Sequence, residues 1–268
     1  MALFGFIGAG NMGYPLIKAA IDTFGGNEVV YTDVSETRLQ FVKGETGVDY
    51  VKDNISVVKQ CRYLVLAVKP QFFPQVFKEI KSFVTADQIV ISIAAGVTID
   101  TIKEVLSDEI RIVRAMPNTS AMVLKSMTGI SFSQNTFSEE EREVIGKFFQ
   151  SFGKYEVFDE GLMNALVCAN GSSPAYVYMF IESLADSVVS YGIPRDKAYT
   201  LAAQTVFGSA AMVLETGEHP GRLKDNVCSP GGTTIAAVKA LEEHGFRNAI
   251  MKATDACYEK AVELSKKK

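Results

Sequence analysis

The sequence Phe6-Ile7-Gly8-Ala9-Gly10-Asn11-Met12-Gly13 decides the fold, because it joins the end of an apolar strand, a glycine turn and a helix start. Its glycines match the G-x-G-x-x-G pattern of dinucleotide-binding folds, and Asp33 follows at the end of the next apolar stretch. In such a turn Gly8 makes the tight bend, Gly10 lets a pyrophosphate approach the backbone, and Gly13 allows close packing. This context predicts a nicotinamide dinucleotide site.

The first half of the chain alternates apolar stretches with helical patterns. Strands are predicted at 2–7, 28–32, 63–67, 88–93, 111–115, 128–133 and 154–158. Helices are predicted at 11–24, 35–43, 71–83 and 138–150, the last opening with a capping box of Ser138 and Glu141. Strand–helix alternation predicts a doubly wound, Rossmann-type α/β domain over residues 1–160.

The second half shows no convincing strand. Helices are predicted at 162–169, 174–191, 194–216, shortly after 219, at 233–244 and at 247–266. The helix at 174–191 carries only a narrow polar strip, so its wide apolar surface is expected to pack against a partner subunit, with ordinary packing within the chain as the alternative. Residues 161–268 are therefore expected to form an all-α dimerisation and substrate-binding domain.

Composition excludes several classes of function. The chain has 268 residues, 47% of them hydrophobic, and a net charge of −4, so no nucleic-acid partner is expected. Its four widely spaced cysteines favour free thiols in a reducing compartment, and its two histidines cannot build a His-rich metal site. We expect a cytoplasmic homo-oligomer with no metal and no membrane span, and with a solvated lysine run at Lys266-Lys267-Lys268.

The cofactor could be NADH or NADPH. Asp33 would accept hydrogen bonds from ribose hydroxyls and repel a 2′-phosphate, which favours NADH. Ser35, Thr37 and Arg38 follow closely, however, and could hold a phosphate if the loop turned. Both cofactors stay open at this point.

Two further strand ends carry candidate cofactor residues. Ala67-Val68-Lys69-Pro70 and Ala94-Ala95-Gly96 each end a buried strand, and doubly wound sheets bind ligands at such carboxyl ends. Small residues at Ala95 and Gly96 would leave room for a nicotinamide ring, and Pro70 would fix its loop. The Lys69 side chain could equally point at the ligand or into solvent.

A second anion site is predicted at Ser229-Pro230-Gly231-Gly232-Thr233-Thr234, directly before a helical pattern. Free backbone N–H groups and the helix dipole favour an anion at such a helix start. Neighbouring Cys228 could supply a thiol but is expected to be a small buried residue. His219 is expected to cap or pack at a helix start rather than to act in catalysis. Asn118 could orient nicotinamide or substrate, or could satisfy its own loop.

Together these motifs resemble the pyrroline-5-carboxylate reductases over essentially the whole chain. The matching pieces are the glycine turn, 67–70, 114–119, 171–176, 219–221 and 223–234, of which the last is the most specific. The resemblance implies hydride transfer from NAD(P)H to 1-pyrroline-5-carboxylate, giving L-proline, by an enzyme built as intertwined dimers that often assemble into decamers. Asp33 departs from the family pattern and puts NADPH preference in doubt, whereas Ser173 should only tighten its loop.

Site residues follow from the resemblance and from the chemistry of the substrate. Cofactor contacts fall on Gly8, Ala9, Gly10, Asn11, Met12, Asp33, Asn54, Val68, Lys69, Pro70 and Ala95. Substrate contacts fall on Ser229, Gly231, Gly232, Thr233, Thr234 and Asn118.

The substrate carboxylate is expected to accept hydrogen bonds from the N–H groups of Gly232, Thr233 and Thr234. The Thr234 hydroxyl, the expected catalytic group, would hold the ring nitrogen. No acid or histidine inside the hexapeptide supplies the imine proton.

Two other functions compete with this interpretation. The β-hydroxyacid dehydrogenases also join a Rossmann domain to helices, but they need a lysine on the first helix of the second domain, and residues 161–178 contain none. A non-catalytic NAD-binding scaffold would explain the glycine turn and oligomerising helices but not a second anion site.

Overall fold

The computed structural model describes residues 1–266, and in that part of the chain seven strands form one sheet. The strands are β1 (Ala2–Ile7), β2 (Val29–Thr32), β3 (Cys61–Leu66), β4 (Ile89–Ser92), β5 (Arg111–Met116), β6 (Ser126–Phe132) and β7 (Gly153–Val157). Their order is β2-β1-β3-β4-β5-β6-β7, and every neighbouring pair is parallel except β5 and β6. Two residues of the lysine run, 267 and 268, lie outside the described residues.

Helices cover both faces of this sheet. They are α1 (Gly13–Phe24), α2 (Glu36–Thr46), α3 (Asn54–Val58), α4 (Phe73–Ile80), α5 (Ile99–Leu106) and α6 (Glu139–Gln150). Side chains alternate along β3, so Tyr63 and Val65 pack with α1, α2 and α6, whereas Leu64 and Leu66 pack with α3, α4 and α5. The doubly wound α/β arrangement predicted from the sequence is confirmed.

The capping box predicted at the start of α6 is also confirmed, and it has a further role. Ser138 Oγ accepts the Glu141 N–H at 3.2 Å, and Glu141 Oε2 accepts the Ser138 N–H at 3.0 Å. The buried Glu141 carboxylate also pairs with Arg62 and Arg111. Burial alone would raise the pKa of Glu141, but the Ser138 N–H and the two guanidinium groups outweigh it, so the pKa lies below its usual value.

Two helices lie where no element was predicted. Helix α3 has only five residues, too few to show a helical period. Helix α5 does have a local signal, since Thr98 caps it by accepting the Thr101 N–H at 3.1 Å. Helix α5 follows β4, whereas α3 precedes β3, and Asn54 at the start of α3 borders a pocket with Asp33 at the carboxyl end of β2.

The second half is helical, as predicted. After α7 (Met163–Leu166) and a wide π turn (Val167–Gly171), four long or medium helices and one short helix follow. They are α8 (Ser173–Ser190), α9 (Arg195–Thr216), α10 (Pro220–Val227), α11 (Thr233–Glu243) and α12 (Phe246–Lys266). None of the helices described between residues 1 and 266 is both long and apolar enough to cross a membrane.

The described chain forms two compact units. Unit 1 comprises Met1–Ser172 together with the chain from Cys257 onward, and unit 2 comprises Ser173–Ala256. The division into domains 1–160 and 161–268 stays a prediction. Unit 2 is thus inserted between two parts of unit 1, and α12 belongs to both.

Candidate active site

The glycine turn between β1 and α1 has the geometry that a dinucleotide requires. Gly8 has a positive φ of 104°, and a Cβ there would lie 2.7 Å from the Ala67 carbonyl oxygen. A Cβ on Gly13 would lie 2.1 Å from the Gly8 carbonyl oxygen. A Cβ on Gly10 would meet no atom within 4 Å, so the backbone there is open to a ligand.

The N-terminus of α1 is available to an anion. Its N-cap residue, Met12, makes no side-chain capping hydrogen bond, and the first turn holds no acidic residue. The first N–H groups of a helix lack partners within the helix and carry its positive dipole end. The turn therefore fits the pyrophosphate of a dinucleotide.

The Asp33 carboxylate is hydrogen-bonded to the backbone of the glycine turn. Its Oδ2 accepts the Ala9 N–H at 2.7 Å, and its Oδ1 accepts the Ser35 N–H at 2.9 Å. The Arg38 guanidinium donates through Nε to the Ala9 carbonyl oxygen at 3.0 Å. A carboxylate and a guanidinium therefore lie side by side where the two nicotinamide cofactors differ.

Several predicted cofactor residues share one cavity. A pocket of about 170 Å³ is bordered by Gly8, Asp33, Asn54 and Val68. A wider pocket of about 490 Å³ shares Asp33 and Asn54 with it. The Asn54 amide donates to Glu79 Oε2 at 2.7 Å, a partner that the sequence did not indicate.

The two neighbouring strand ends lie at the same edge of the sheet. Lys69 and Pro70 follow β3, and Ala95 and Gly96 follow the adjacent β4. Lys69 and Ala95 are both exposed, and Gly96 has a positive φ of 73° that bends the chain away. The space beside Ala95 is therefore open at the edge where a nicotinamide ring would lie.

A buried ion pair supports the loop after β4. Arg114, 3% exposed, donates to Glu160 Oε1 at 2.9 Å, and the same oxygen accepts the Ile99 N–H at 2.7 Å. Glu160 thus holds the start of α5, three residues after Gly96. A charged residue inside an apolar strand was the only sequence signal for this pair.

The side chain of Asn118 is engaged by its surroundings. Its Oδ1 accepts the Ser120 N–H at 3.2 Å, and its Nδ2 donates to the Asn170 carbonyl oxygen at 3.0 Å. Both ends of the amide therefore hold a loop of unit 1. The role of Asn118 in substrate binding stays a prediction. The two hydrogen bonds support the alternative, in which the Asn118 amide holds its own loop in place.

The hexapeptide in unit 2 forms a turn that begins α11. Gly231 has a positive φ of 71°, and Gly232 is the N-cap, with no side-chain capping hydrogen bond. A Cβ on Gly232 would lie 2.3 Å from Ser229 Oγ. The Gly232 N–H donates to the Ser229 carbonyl oxygen at 3.0 Å, so it is already used within the turn.

The N–H groups of Thr233 and Thr234, in the first turn of α11, remain as donors for an anion. The first turn of α11 contains no acidic residue, and the half-buried Thr234 adds a hydroxyl. These features suit a carboxylate at the positive end of the helix dipole.

The sequence predicted structural roles for two neighbours of this turn. His219 Nδ1 accepts the Gly221 N–H at 3.1 Å and caps α10, which confirms the predicted capping role. Cys228, predicted to be buried, is only half-buried at the end of α10.

Two family models match separate parts of the chain, and a relative matches nearly all of it. A family model described as "NADP oxidoreductase coenzyme F420-dependent" matches residues 3–96. A second, described as "Pyrroline-5-carboxylate reductase dimerisation", matches residues 160–264. The pyrroline-5-carboxylate reductase of Escherichia coli K12 is 45% identical over 98% of each chain.

Solved structures agree with this assignment. A pyrroline-5-carboxylate reductase from Coxiella burnetii has a TM-score of 0.91, with 34% identity over 99% of each chain. A pyrroline carboxylate reductase from Plasmodium falciparum, solved with NADP bound, has a TM-score of 0.88, with 30% identity over 98% of each chain.

Proposed function

Because the chain belongs to the pyrroline-5-carboxylate reductase family, we infer that it reduces 1-pyrroline-5-carboxylate to L-proline with a reduced nicotinamide dinucleotide, the last step of proline biosynthesis. The structural observation that supports this activity is that two helices, α1 and α11, begin without a side-chain capping hydrogen bond. The start of α1 suits a dinucleotide, and the start of α11 suits a carboxylate.

The cofactor is proposed to lie along the carboxyl edge of the sheet. The backbone of Gly8–Met12 would hold the pyrophosphate, Asp33 and Asn54 the adenosine side, and Val68, Lys69, Pro70 and Ala95 the nicotinamide side. When bound, the reduced nicotinamide supplies the hydride. The chain contributes orientation, because Gly96 and the Glu160 contact fix the loop that presents Ala95.

The substrate carboxylate is proposed to bind at the start of α11. The N–H groups of Thr233 and Thr234 donate to it, while Ser229, Gly231 and Gly232 hold the turn in shape. Charge-assisted hydrogen bonds of this kind are short and about twice as strong as neutral ones. Binding through the carboxylate leaves the ring nitrogen within reach of the adjacent hydroxyl of Thr234.

Thr234 is proposed as the residue that acts on the imine. Its hydroxyl would hold the ring nitrogen and so fix the carbon that receives the hydride. Reduction also needs a proton on that nitrogen. With no acidic residue in the first turn of α11, the substrate would bind already protonated, or Thr234 would relay a proton from water.

The variants Thr234→Ala and Thr234→Ser test this role. We expect Thr234→Ala to lower kcat about 10- to 100-fold because one hydrogen bond to the reacting group is lost, and Thr234→Ser to retain most activity. The measurement is NAD(P)H oxidation with pyrroline-5-carboxylate. Thr200→Ala, on an exposed turn of α9, is the control. Unchanged turnover in Thr234→Ala would disprove the role but leave the family activity intact.

For the cofactor, we propose that Asp33 lowers the preference for NADPH relative to NADH. Its carboxylate lies against the glycine turn, where it would repel a 2′-phosphate, although Arg38 beside it and the NADP-bound relative support the opposite preference. Replacing Asp33 by Ser should raise the ratio of kcat/KM for NADPH over NADH about tenfold or more. The exposed Asp22→Ser is the control, and an unchanged ratio would reject the proposal.

The assembly is homo-oligomeric, and we propose a dimer formed through unit 2, with five dimers joining into a decamer. The support for the dimer is the dimerisation model that matches residues 160–264. Light scattering coupled to size exclusion measures the subunit number directly. We also propose a cytoplasmic location, supported by the wide spacing of the four cysteines along the chain, which favours free thiols in a reducing compartment.

A further inference from the structure

The chain passes between unit 1 and unit 2 at two places, and the residues of unit 1 at these two places are in contact with each other. The chain leaves unit 1 after Ser172 and returns to it at Cys257. The Cys257 thiol donates to Ser172 Oγ at 3.4 Å, so the two crossing points are in contact. We call this contact region, Asn164–Ser172 with Cys257–Ser265, the neck.

The neck consists of two antiparallel segments. Ser265 Oγ donates to Asn164 Oδ1 at 3.2 Å, while eight residues earlier in α12 Cys257 reaches Ser172. The last turns of α12 therefore run back along Asn164–Ser172. Cys168 lies between those two contacts, on the π turn, with its Sγ 3.7 Å from the Asn164 carbonyl oxygen.

Cys168 and Cys257 lie on the two paired segments of the neck, and the Cys257 thiol is near enough to help raise the pKa of Cys168. We propose that Cys168 and Cys257 form a reversible dithiol–disulfide site that closes the neck covalently. The other two cysteines differ in their surroundings. Cys61 is fully buried beside Gln88 in the sheet of unit 1, and Cys228 lies at the end of α10 in unit 2.

The two sulfurs would react in a fixed order. Cys168 is 7% exposed, and burial, with the neighbouring Cys257 thiol, raises its pKa to about 11. Cys257 is half-buried and therefore more accessible to a small oxidant. Attack by a thiolate controls such reactions, so Cys257 reacts first and Cys168 resolves the intermediate.

With hydrogen peroxide as oxidant, the Cys257 thiolate attacks one oxygen and breaks the O–O bond. This gives a sulfenic acid and, after protonation of the leaving hydroxide, one water. The Cys168 sulfur then attacks the Cys257 sulfur, forms the S–S bond and expels the sulfenic oxygen as a second water. The two thiols lose two protons and two electrons, and the peroxide takes these up to become two waters.

The disulfide would tie together the two ends of an insertion of more than eighty residues. Cross-linking residues so far apart in sequence restricts the unfolded chain strongly, so the oxidised protein should resist unfolding. Because the site lies at both crossings, oxidation would also restrict movement at the neck. A transient disulfide of this kind is the form that cytoplasmic proteins use for redox sensing.

The experiment treats the assembled enzyme with hydrogen peroxide and counts the thiols that remain open to alkylation. We expect a loss of two thiols per chain, a peptide linking Cys168 to Cys257 by mass spectrometry, and recovery with dithiothreitol. The oxidised enzyme should show a Tm about 5 °C higher. The variants Cys168→Ser and Cys257→Ser should form no such link, whereas Cys228→Ser should behave as the parent.

Three results would overturn the proposal. They are the absence of the Cys168–Cys257 peptide from the assembled enzyme, a link that joins different chains or other cysteines, and a linked form with an unchanged Tm. Pyrroline-5-carboxylate reduction, assayed before oxidation, shows that each variant is folded and is independent of this outcome.

Discussion

The two units of the molecule are held together in different ways. In unit 1 the largest buried side chains are aromatic, and Phe148 stacks on Phe4 with ring centroids 4.7 Å apart. In the described part of unit 2 the buried core is limited to Ala185, Ala198 and Ala202. Large apolar side chains of α8 and α9 are instead exposed on the single chain. They include Tyr178, Met179, Phe180, Phe207 and Leu214.

This difference shows where each unit obtains its stability. Buried apolar surface contributes about 25 cal/mol per Å², so three alanines contribute little beside the aromatic core of unit 1. The exposed side chains of unit 2 lie within the segment matched by the dimerisation model. We therefore expect unit 1 to be stable by its own packing and unit 2 to be stable through association.

The largest effect is expected in the core of unit 1. Phe148→Ala should lower the free energy of unfolding by about 3–5 kcal/mol, because it leaves a cavity among four aromatic rings. Urea unfolding at two protein concentrations measures it, and the loss should be the same at both. The counterpart Phe207→Ala, 56% exposed in unit 2, should show a loss that grows on dilution. If the loss in free energy of unfolding were independent of protein concentration for both variants, the proposed difference between the two units would be wrong.

Next comes a matched pair of surface valines. Val177 on α8 of unit 2 is 40% exposed, and Val105 on α5 of unit 1 is 39% exposed. Val177→Glu should weaken association by about 2 kcal/mol or more by burying a charge at the interface, whereas Val105→Glu should change stability by less than about 0.5 kcal/mol. Light scattering during size exclusion should detect dissociation only for Val177→Glu. Equal behaviour of the two would show that α8 is not an interface.

A smaller effect is expected on the stability of unit 1 at low pH. The pKa of Glu141 is lowered in the folded protein, so its stabilisation is present above its unfolded value of 4.5 and disappears as the pH falls through the lower folded value. Glu141→Gln should cost about 1–3 kcal/mol near pH 7 and flatten the pH dependence of Tm below about pH 5. Glu139→Gln, on the same helix, should leave that slope unchanged, and equal slopes in both variants would contradict the prediction.

The fold was predictable where one pattern repeats over many residues. The glycine turn, the buried parallel strands and the Ser138–Glu141 capping box each carry a local physical cause that the sequence displays. Helix α3 was not predictable because five residues show no period, and the return of α12 to unit 1 depends on contacts such as Ser265 with Asn164.

The candidate site likewise has a part that the sequence predicts and a part that it does not. Gly8, Asp33 and Val68, which border one cavity, follow from motif and strand-end rules, whereas Asn54 in the same cavity was named only through the family resemblance. The occupied N–H of Gly232, the engaged amide of Asn118 and the support of α5 by Glu160 could not be foreseen. Each of these depends on a hydrogen-bond partner whose position only the folded backbone determines.

The insertion of unit 2 between Ser172 and Cys257 has a consequence for synthesis on the ribosome. The sheet of unit 1 can form as soon as β7 emerges, but the segment from Cys257 that packs against Asn164–Ser172 is translated only after all of unit 2. A nascent chain therefore has a formed nucleotide-binding sheet long before the neck can close. Stalling translation before residue 257 should leave this sheet protected from proteases while the segment near Cys168 stays cleavable.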